Sequence, residues 1–377
     1  MINMLISSTY TENQEISMRF NRNIPFNALP DLPPKEEVET VTILKMAIRA
    51  NKAIAELRVS GHLIPNQAVL IQTLGLSEAK LSSEIENIVT TNDELYRAFV
   101  DGNINIEPQT KEVLFYKDAL WHGYHALTKK NRLLTTPLFI ELVQILKNST
   151  LGIRNIPGTK LVNSRGEVKY IPPEGEEIIR KKLSNLEKFI YAEDSLDPLI
   201  KMAIIHYQFE AIHPFPDGNG RTGRILNILY LIEKQLLDIP VLYLSNYIIS
   251  NKIEYYNGLQ QVTETSAWEP WILYILQGLE QTAIVTRERI LSIYRLTEET
   301  GEKVRTRLPR IYSKDLIEII FRSPYCKIKF LEEAGIAKRQ TASSYLKELE
   351  KIGVLRSHKI GRDIYYVNDH FLKILSL

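Results

Sequence analysis

The chain of 377 residues holds one cysteine, Cys326. It cannot close an internal disulfide or build a cysteine-rich zinc site. No apolar run approaches the roughly 20 residues that a membrane-spanning helix needs. The opening residues, MINMLISSTYTENQEISMRF, lack the cationic start, apolar stretch and small-residue cleavage site of a secretory signal. A reducing cytoplasm, with no membrane partner, is the expected setting. Neither a fixed-period repeat nor a low-complexity tract occurs. What is present is the balance of a globular protein, 44% hydrophobic and 24% charged, which excludes disorder over most of the length. At 43.5 kDa the chain is too long for one ordinary core, so two or three domains are expected.

Charge is divided unevenly. From Arg310 onward there are 13 Lys and Arg against 8 Asp and Glu, a local +5, although the whole chain carries only +2. A basic C-terminal module invites a test for nucleic-acid contact, but so modest an excess does not by itself hold nucleic acid at physiological salt.

Periodicity makes the chain mainly helical. Apolar positions at three- and four-residue spacing predict a helix over 35–60, stopped by Gly61. Further helices are predicted over 92–101, 109–128, 136–148, 174–192, 196–211, 221–236, 251–261 and 268–297. Pro270 falls in the first turn of the last, where its missing donor costs nothing. Residues 153–172 break the pattern, with β-branched and aromatic residues around Ser164-Arg165-Gly166, and predict a β-hairpin. A lone hairpin is marginal in water, so it must lean on the helical body. After a charged stretch at 298–312, short helices are predicted over 313–322, 327–334 and 338–352, then a hairpin about Gly361. Three helices and a β-wing make a winged-helix arrangement, whose third helix can enter a DNA major groove with Lys338, Arg339, Gln340, Thr341, Ser343 and Ser344 leading. Winged helices also serve as protein-docking or dimer modules, and that reading stays open.

The stretch richest in chemistry is His213 to Arg224, HPFPDGNGRTGR, set between two apolar helices. Glycines flank Asn219 where the chain turns into the second helix. Gly218, Asn219 and Gly220 can point successive backbone N–H groups into one anion-binding concavity, to which the helix start adds its positive dipole end. Arg221 and Arg224, three residues apart, project to one side of that first turn, and forked guanidiniums suit phosphate oxygens. Asp217 offers a hard oxygen to Mg²⁺, and His213 can accept a proton near pH 7. Each residue alone has a plain structural reading. Together they describe a phosphate-transfer site in which a hydroxyl of another molecule attacks.

This stretch resembles the signature of Fic proteins, H-P-F-x-[D/E]-G-N-G-R-x-x-R, at every specified position, with Pro216 at the free one. The resemblance implies a mainly α-helical Fic domain with a β-hairpin flap, an N-terminal inhibitory helix and the C-terminal winged helix. It implies transfer of AMP from ATP to a Ser, Thr or Tyr hydroxyl of a target protein and of the chain itself, with pyrophosphate leaving. By position, His213 resembles the general base and Asp217 the Mg²⁺ ligand. Gly218, Asn219 and Gly220 resemble the α- and β-phosphate nest, Arg221 the β-phosphate arginine and Arg224 the γ-phosphate arginine. Phe215 resembles the buried anchor of the loop. The hairpin at 158–170 sits where the family's flap pairs with the target backbone. The implied division is 1–108 for the N-terminal region, 109–297 for the catalytic domain, 298–312 for a linker and 313–377 for the winged helix.

Upstream, LSSEIENIVTT at 81–91 places Ser82, Glu86 and Asn87 on the family's inhibitory pattern, [S/T]-x-x-x-E-[G/N]. The implied brake is a charge-assisted pairing of Glu86 with Arg224, which removes the partner of the γ-phosphate. Thr91 and Glu94 form a capping box for the next helix. Within 242–260, Tyr256 and Asn257 are the candidate adenine contacts, an aromatic face beside an amide. Family analogy alone suggests a homodimer. Rival readings are transfer of UMP, GMP or phosphocholine, removal of AMP at the same site, or an ATP-sensing regulator that binds DNA.

Overall fold

The computed structural model describes residues 20–376 apart from 65, 66, 103–105, 164, 361 and 362. The N-terminal helices are α1 (Val41–Ser60), α2 (Gln67–Ile85), α3 (Asn92–Asp101), α4 (Pro108–Lys130) and α5 (Thr136–Lys147). A hairpin of β1 (Leu161–Val162) and β2 (Val168–Tyr170) follows. Next come α6 (Glu176–Tyr191), α7 (Pro198–Ile212), α8 (Asn219–Glu233), α9 (Ser245–Ser250), α10 (Lys252–Thr265) and α11 (Trp268–Arg307). The C-terminal segment holds α12 (Lys314–Phe321), β3 (Tyr325–Cys326), α13 (Ile328–Glu333), α14 (Arg339–Lys351), β4 (Arg356–Ile360), β5 (Asp363–Val367) and α15 (Asp369–Ser376).

The chain forms two compact units, each assembled from separated segments. The first comprises the described residues through Arg49 with Arg132–Asn227 and Asn251–Gly278, and the second Ala50–Asn131, Ile228–Ser250 and Leu279 onward. This division interleaves segments that lie far apart in the sequence.

The first unit is built on α7. Its start is fixed by Asp197, whose carboxylate accepts the Leu199 N–H at 2.8 Å, and by Pro198 in the first turn. Leu199, Ile200, Met202, Ala203, Ile204, Ile205 and Phe209 are all buried, so the helix is apolar around its whole circumference, as a central helix must be. Trp271 of α11 lies against it, with its indole N–H on the Ala203 carbonyl at 2.8 Å. Gly258 of α10 lets that indole approach, since a Cβ there would stand 2.8 Å from the ring. The hairpin leans on this body as expected. Leu161 pairs with Tyr170, the Tyr170 ring lies 5.9 Å from that of Phe20, and its hydroxyl donates to the Ala211 carbonyl at 2.8 Å. The tip residue Ser164 lies outside the described residues.

In the second unit α2 packs on α4 and α9. Glu78, 1% exposed, accepts the hydroxyls of Tyr116 at 3.1 Å and Ser245 at 2.5 Å. The C-terminal domain has three strands in the order β3-β5-β4, all antiparallel, with the expected hairpin formed by β4 and β5 and residues 361–362 outside the described residues. This domain is docked, not tethered. Tyr325 and Lys327 reach Asp93 and Asp101 of α3 at 2.5 and 2.6 Å, and the Tyr365 hydroxyl also donates to Asp101. Cys326 is buried in β3, and burial pushes its thiol up to about 12, which makes it unreactive.

Three expectations are corrected. The stretch 298–312 is not a linker throughout, because α11 continues to Arg307. Its Glu, Lys and Arg are good helix formers, a lone Gly301 is tolerated, and Val304 is buried. The helix expected over 35–60 begins at Val41, and the one containing Ser82 begins at Gln67 and ends at Ile85, so Glu86 stands just beyond it. Among the described residues no helix is long and apolar enough to cross a membrane.

Candidate active site

The loop from His213 to Arg224 joins α7 to α8. His213 itself takes a left-handed conformation, φ 49°, and its N–H closes the end of α7 on the Phe209 carbonyl at 3.0 Å. Phe215 is fully buried. The side chain of Asn219 folds back on it, accepting the Phe215 N–H and donating to the Phe215 carbonyl, both at 2.8 Å. The Asn219 amide thus staples the loop, and what it offers an anion is its backbone at the first position of α8. Gly218 has φ 82°, and a Cβ there would meet Val143 at 3.2 Å and Leu146 at 3.3 Å. Only glycine suits both demands. Its carbonyl accepts the Thr222 N–H at 2.9 Å and hydroxyl at 2.8 Å, closing the first turn of α8. Gly218, Asn219 and Gly220 therefore stand at a helix N-terminus, where backbone N–H groups collect.

Arg221 and Arg224 rise from that turn and are buried, at 1% and 3% exposure. Below them in α7, His206 is fully buried, with its Nε2 2.9 Å from the Tyr255 hydroxyl and its ring stacked on Trp271. Burial, and then the positive charge of Arg224, drive its pKa down to about 3, so it is neutral. Gly223 is close to Glu210, since an added Cβ would stand 2.5 Å from its Oε1.

Asp217 is half-exposed. Burial raises its pKa, but the Lys147 ammonium at 2.7 Å, the charge of Arg221 and the Gly218 N–H at 2.5 Å outweigh it, so the carboxyl lies below its ordinary range. An anionic oxygen beside a phosphate nest fits Mg²⁺, which is commonly held by one or two carboxylates together with substrate phosphates. Among the described residues no cluster of three metal-ligating side chains occurs, so the donor set fits a nucleotide-borne ion and not an all-protein cage.

Ser82 is fully buried on α2, while Glu86 is exposed. Asn87 has φ 63°, its N–H reaches the Glu84 carbonyl and that of Ile88 the Ser83 carbonyl, both at 3.0 Å. This is a Schellman cap, and it explains why Asn or Gly must follow the glutamate: the position is left-handed. On α10, Tyr256 and Asn257 face outward, whereas Tyr255 and Gly258 face the core. Two further residues carry no local sequence signal. Lys147 ends α5 far from the motif, and Arg154 is a lone charge in the apolar run Leu151-Gly152-Ile153.

Three family models match. "Fic/DOC family N-terminal" covers residues 44–125, "Fic/DOC family" covers 133–231, and "Protein adenylyltransferase SoFic-like, C-terminal domain" covers 296–371. The second contains the whole 213–224 loop on the geometry just described.

The chain carries a Fic/DOC domain, preceded by a Fic/DOC N-terminal domain.

Among curated relatives, the probable protein adenylyltransferase of Aquifex aeolicus is 34% identical over 96 residues, which is 26% of this chain and 27% of that one. The protein adenylyltransferase fic-1 of Caenorhabditis elegans is 30% identical over 110 residues, 29% of this chain and 20% of that one. These matches span about a quarter of the relatives' length. Among solved structures, a Fic family protein from Desulfovibrio desulfuricans covers 89% of this chain and 98% of its own, with TM-score 0.54 at 18% identity. A Fic domain containing signaling protein from Bacteroides thetaiotaomicron covers 66% and 97%, with TM-score 0.54 at 19% identity. At such identity these two share the fold, and that is the extent of the likeness.

Proposed function

We propose that this Fic/DOC protein is a protein adenylyltransferase, moving AMP from ATP to a hydroxyl of a target protein and of itself. The observation that carries the reading is the 213–224 loop. A histidine at the end of one helix stands six residues before the N-terminus of the next, with two buried arginines in that helix's first turns. The acceptor hydroxyl oxygen attacks the α-phosphorus of ATP and its proton passes to a ring nitrogen of His213. A new phosphoester bond forms, the bond to the β-phosphate oxygen breaks, and pyrophosphate leaves. The N–H groups of Gly218, Asn219 and Gly220, with Arg221 and Arg224, hold the phosphates and the charge that develops on them. Asp217 would hold a Mg²⁺ ion brought with the nucleotide, which when bound would supply further charge neutralisation at the leaving group. Tyr256 and Asn257, both outward-facing on α10, take the adenine. Glu86 restrains the reaction, as the pattern at 82–87 suggests, through the expected pairing of its carboxylate with Arg224.

The test is transfer of label from α-labelled ATP, compared with γ-labelled ATP, by wild type and Glu86→Gly. Adenylylation predicts strong α-label on Glu86→Gly, weak α-label on wild type and none from γ-labelled ATP. Competition by unlabelled UTP or GTP stronger than by ATP would move the reading to another donor, and release of AMP from a labelled target to removal.

The C-terminal domain presents Lys338, Arg339, Gln340, Thr341 and Ser344 outward at the start of α14, which suits a DNA major groove. A gel shift on duplex DNA that weakens with salt and is lost on changing Lys338 and Arg339 to alanine supports this, and no shift at low salt refutes it. The expected homodimer and cytoplasmic setting rest on family likeness and composition, and sedimentation equilibrium tests the first.

A further inference from the structure

The helix that carries His213 ends in an unusual way. Its last-turn carbonyls need donors that the helix cannot supply. His213 is left-handed, and a Schellman cap would normally follow, with the next residue's N–H reaching back. That next residue is Pro214, which has no N–H. The donors come instead from the segment around the flap. Arg154, 4% exposed, donates its Nε to the His213 carbonyl at 2.7 Å and an Nη to the Ile212 carbonyl at 3.3 Å. The same guanidinium donates to the Pro173 carbonyl, three residues beyond β2. The Arg154 backbone N–H reaches the Pro214 carbonyl at 2.9 Å, and the Tyr170 hydroxyl takes Ala211 at 2.8 Å.

We propose that Arg154 is a positioning residue that caps the base-bearing helix from outside and ties the His213 backbone to the root of the flap as one piece. This inference rests on the adenylyltransferase reading for its consequence in rate. Three acceptors on two different segments are met by one planar, five-donor group that cannot lose its charge, which is the task for which arginine and not lysine is suited. Its positive charge also stands at the negative end of the α7 dipole. Burial lowers the guanidinium pKa, and Tyr170 and Glu174 offset part of that. An acceptor strand that pairs with the flap would thereby meet a base whose backbone is already fixed to the same anchor.

The test compares full-length Glu86→Gly with Glu86→Gly/Arg154→Met and Glu86→Gly/Arg154→Lys in two assays. In hydrogen exchange, Arg154→Met should speed amide exchange tenfold or more in peptides covering 209–215 and 168–174 together, while peptides from α10 keep their protection. In label transfer, kcat should fall at least tenfold with KM for ATP within about twofold, Arg154→Lys should lie between, and ethylguanidinium should restore part of the loss to Arg154→Met. Exchange confined to one of the two segments, or a rate loss that appears in KM for ATP alone, overturns the proposal. Exchange remains decisive if Glu86→Gly transfers no label, an outcome that would instead defeat the adenylyltransferase reading.

Discussion

Replacing Gly218 by alanine asks whether the 213–224 loop is specified by backbone conformation, by space, or by both. At φ 82° an L-residue costs about 1–2 kcal/mol. The added Cβ would stand 3.2 Å from a Val143 methyl and 3.3 Å from a Leu146 methyl, so two side chains at the end of α5 must yield. Crowding of that kind adds about 1 kcal/mol. Alanine also narrows the unfolded ensemble, which offsets ~0.4–1 kcal/mol. The net expectation is a loss of about 2 kcal/mol. Gly335, at φ 68° with nothing within 4 Å of its Cβ, is the control, and alanine there should cost about 1 kcal/mol or less. Asparagine separates the two causes because it tolerates the left-handed region. It should be nearly neutral at Gly335 and still costly at Gly218. Urea unfolding of the full chain, followed by tryptophan fluorescence and by circular dichroism, reads both. A Gly218→Asn variant as stable as wild type would refute the crowding argument, and a neutral Gly218→Ala would refute both causes.

Phe215→Ala should cost about 3–5 kcal/mol by urea unfolding, since a fully buried ring is removed beneath the loop. His206 is held neutral with a pKa of about 3 against an ordinary value near 6.5, so the unfolded chain binds the extra proton first. Its contribution is complete above pH 6.5 and is lost as pH falls, by about 1.4 kcal/mol per unit, and His206→Phe should flatten the stability profile between pH 6 and 4. Lys147→Met should raise the Asp217 pKa towards its ordinary range, so stability and Mg²⁺ affinity near the loop should be lost at higher pH than in wild type, as carboxyl titration by NMR would record. Lys327→Met leaves Asp101 and Asp363 without their shared cation, and should lower the stability of the C-terminal domain by about 1–2 kcal/mol in urea unfolding.

Much of the fold was legible because its signals are local. Helix α3 was read at its observed bounds, since Thr91 caps it through the Glu94 N–H at 3.1 Å and Gly102 follows its end. The C-terminal hairpin and the three short C-terminal helices are legible for the same reason, whereas β3 is two residues long and gains its meaning only by pairing Tyr325 with Val367. The charged end of α11 misled because periodic apolar burial fades there before the helix stops. At the site, the motif residues are contiguous and so could be read as a group. Arg154 and Lys147 could not, because their partners lie 59 and 70 residues along the chain and no spacing rule joins them. Asn87 was read as part of a pattern, and the structure supplies its reason in the left-handed cap. The interleaved units were invisible to linear segmentation, because α1 and α11 each contribute to both.

The central claim is AMP transfer that depends on His213 and is restrained by Glu86. Intact-mass spectrometry of full-length wild type, Glu86→Gly and Glu86→Gly/His213→Ala, after incubation with ATP and Mg²⁺ and with pyrophosphate followed in parallel, tests it most directly. The account predicts one or more AMP increments on Glu86→Gly with matching pyrophosphate, traces on wild type and none on the double variant. Unmodified Glu86→Gly that still binds ATP, with cell extract supplied as acceptor and nothing in it modified, would contradict the account.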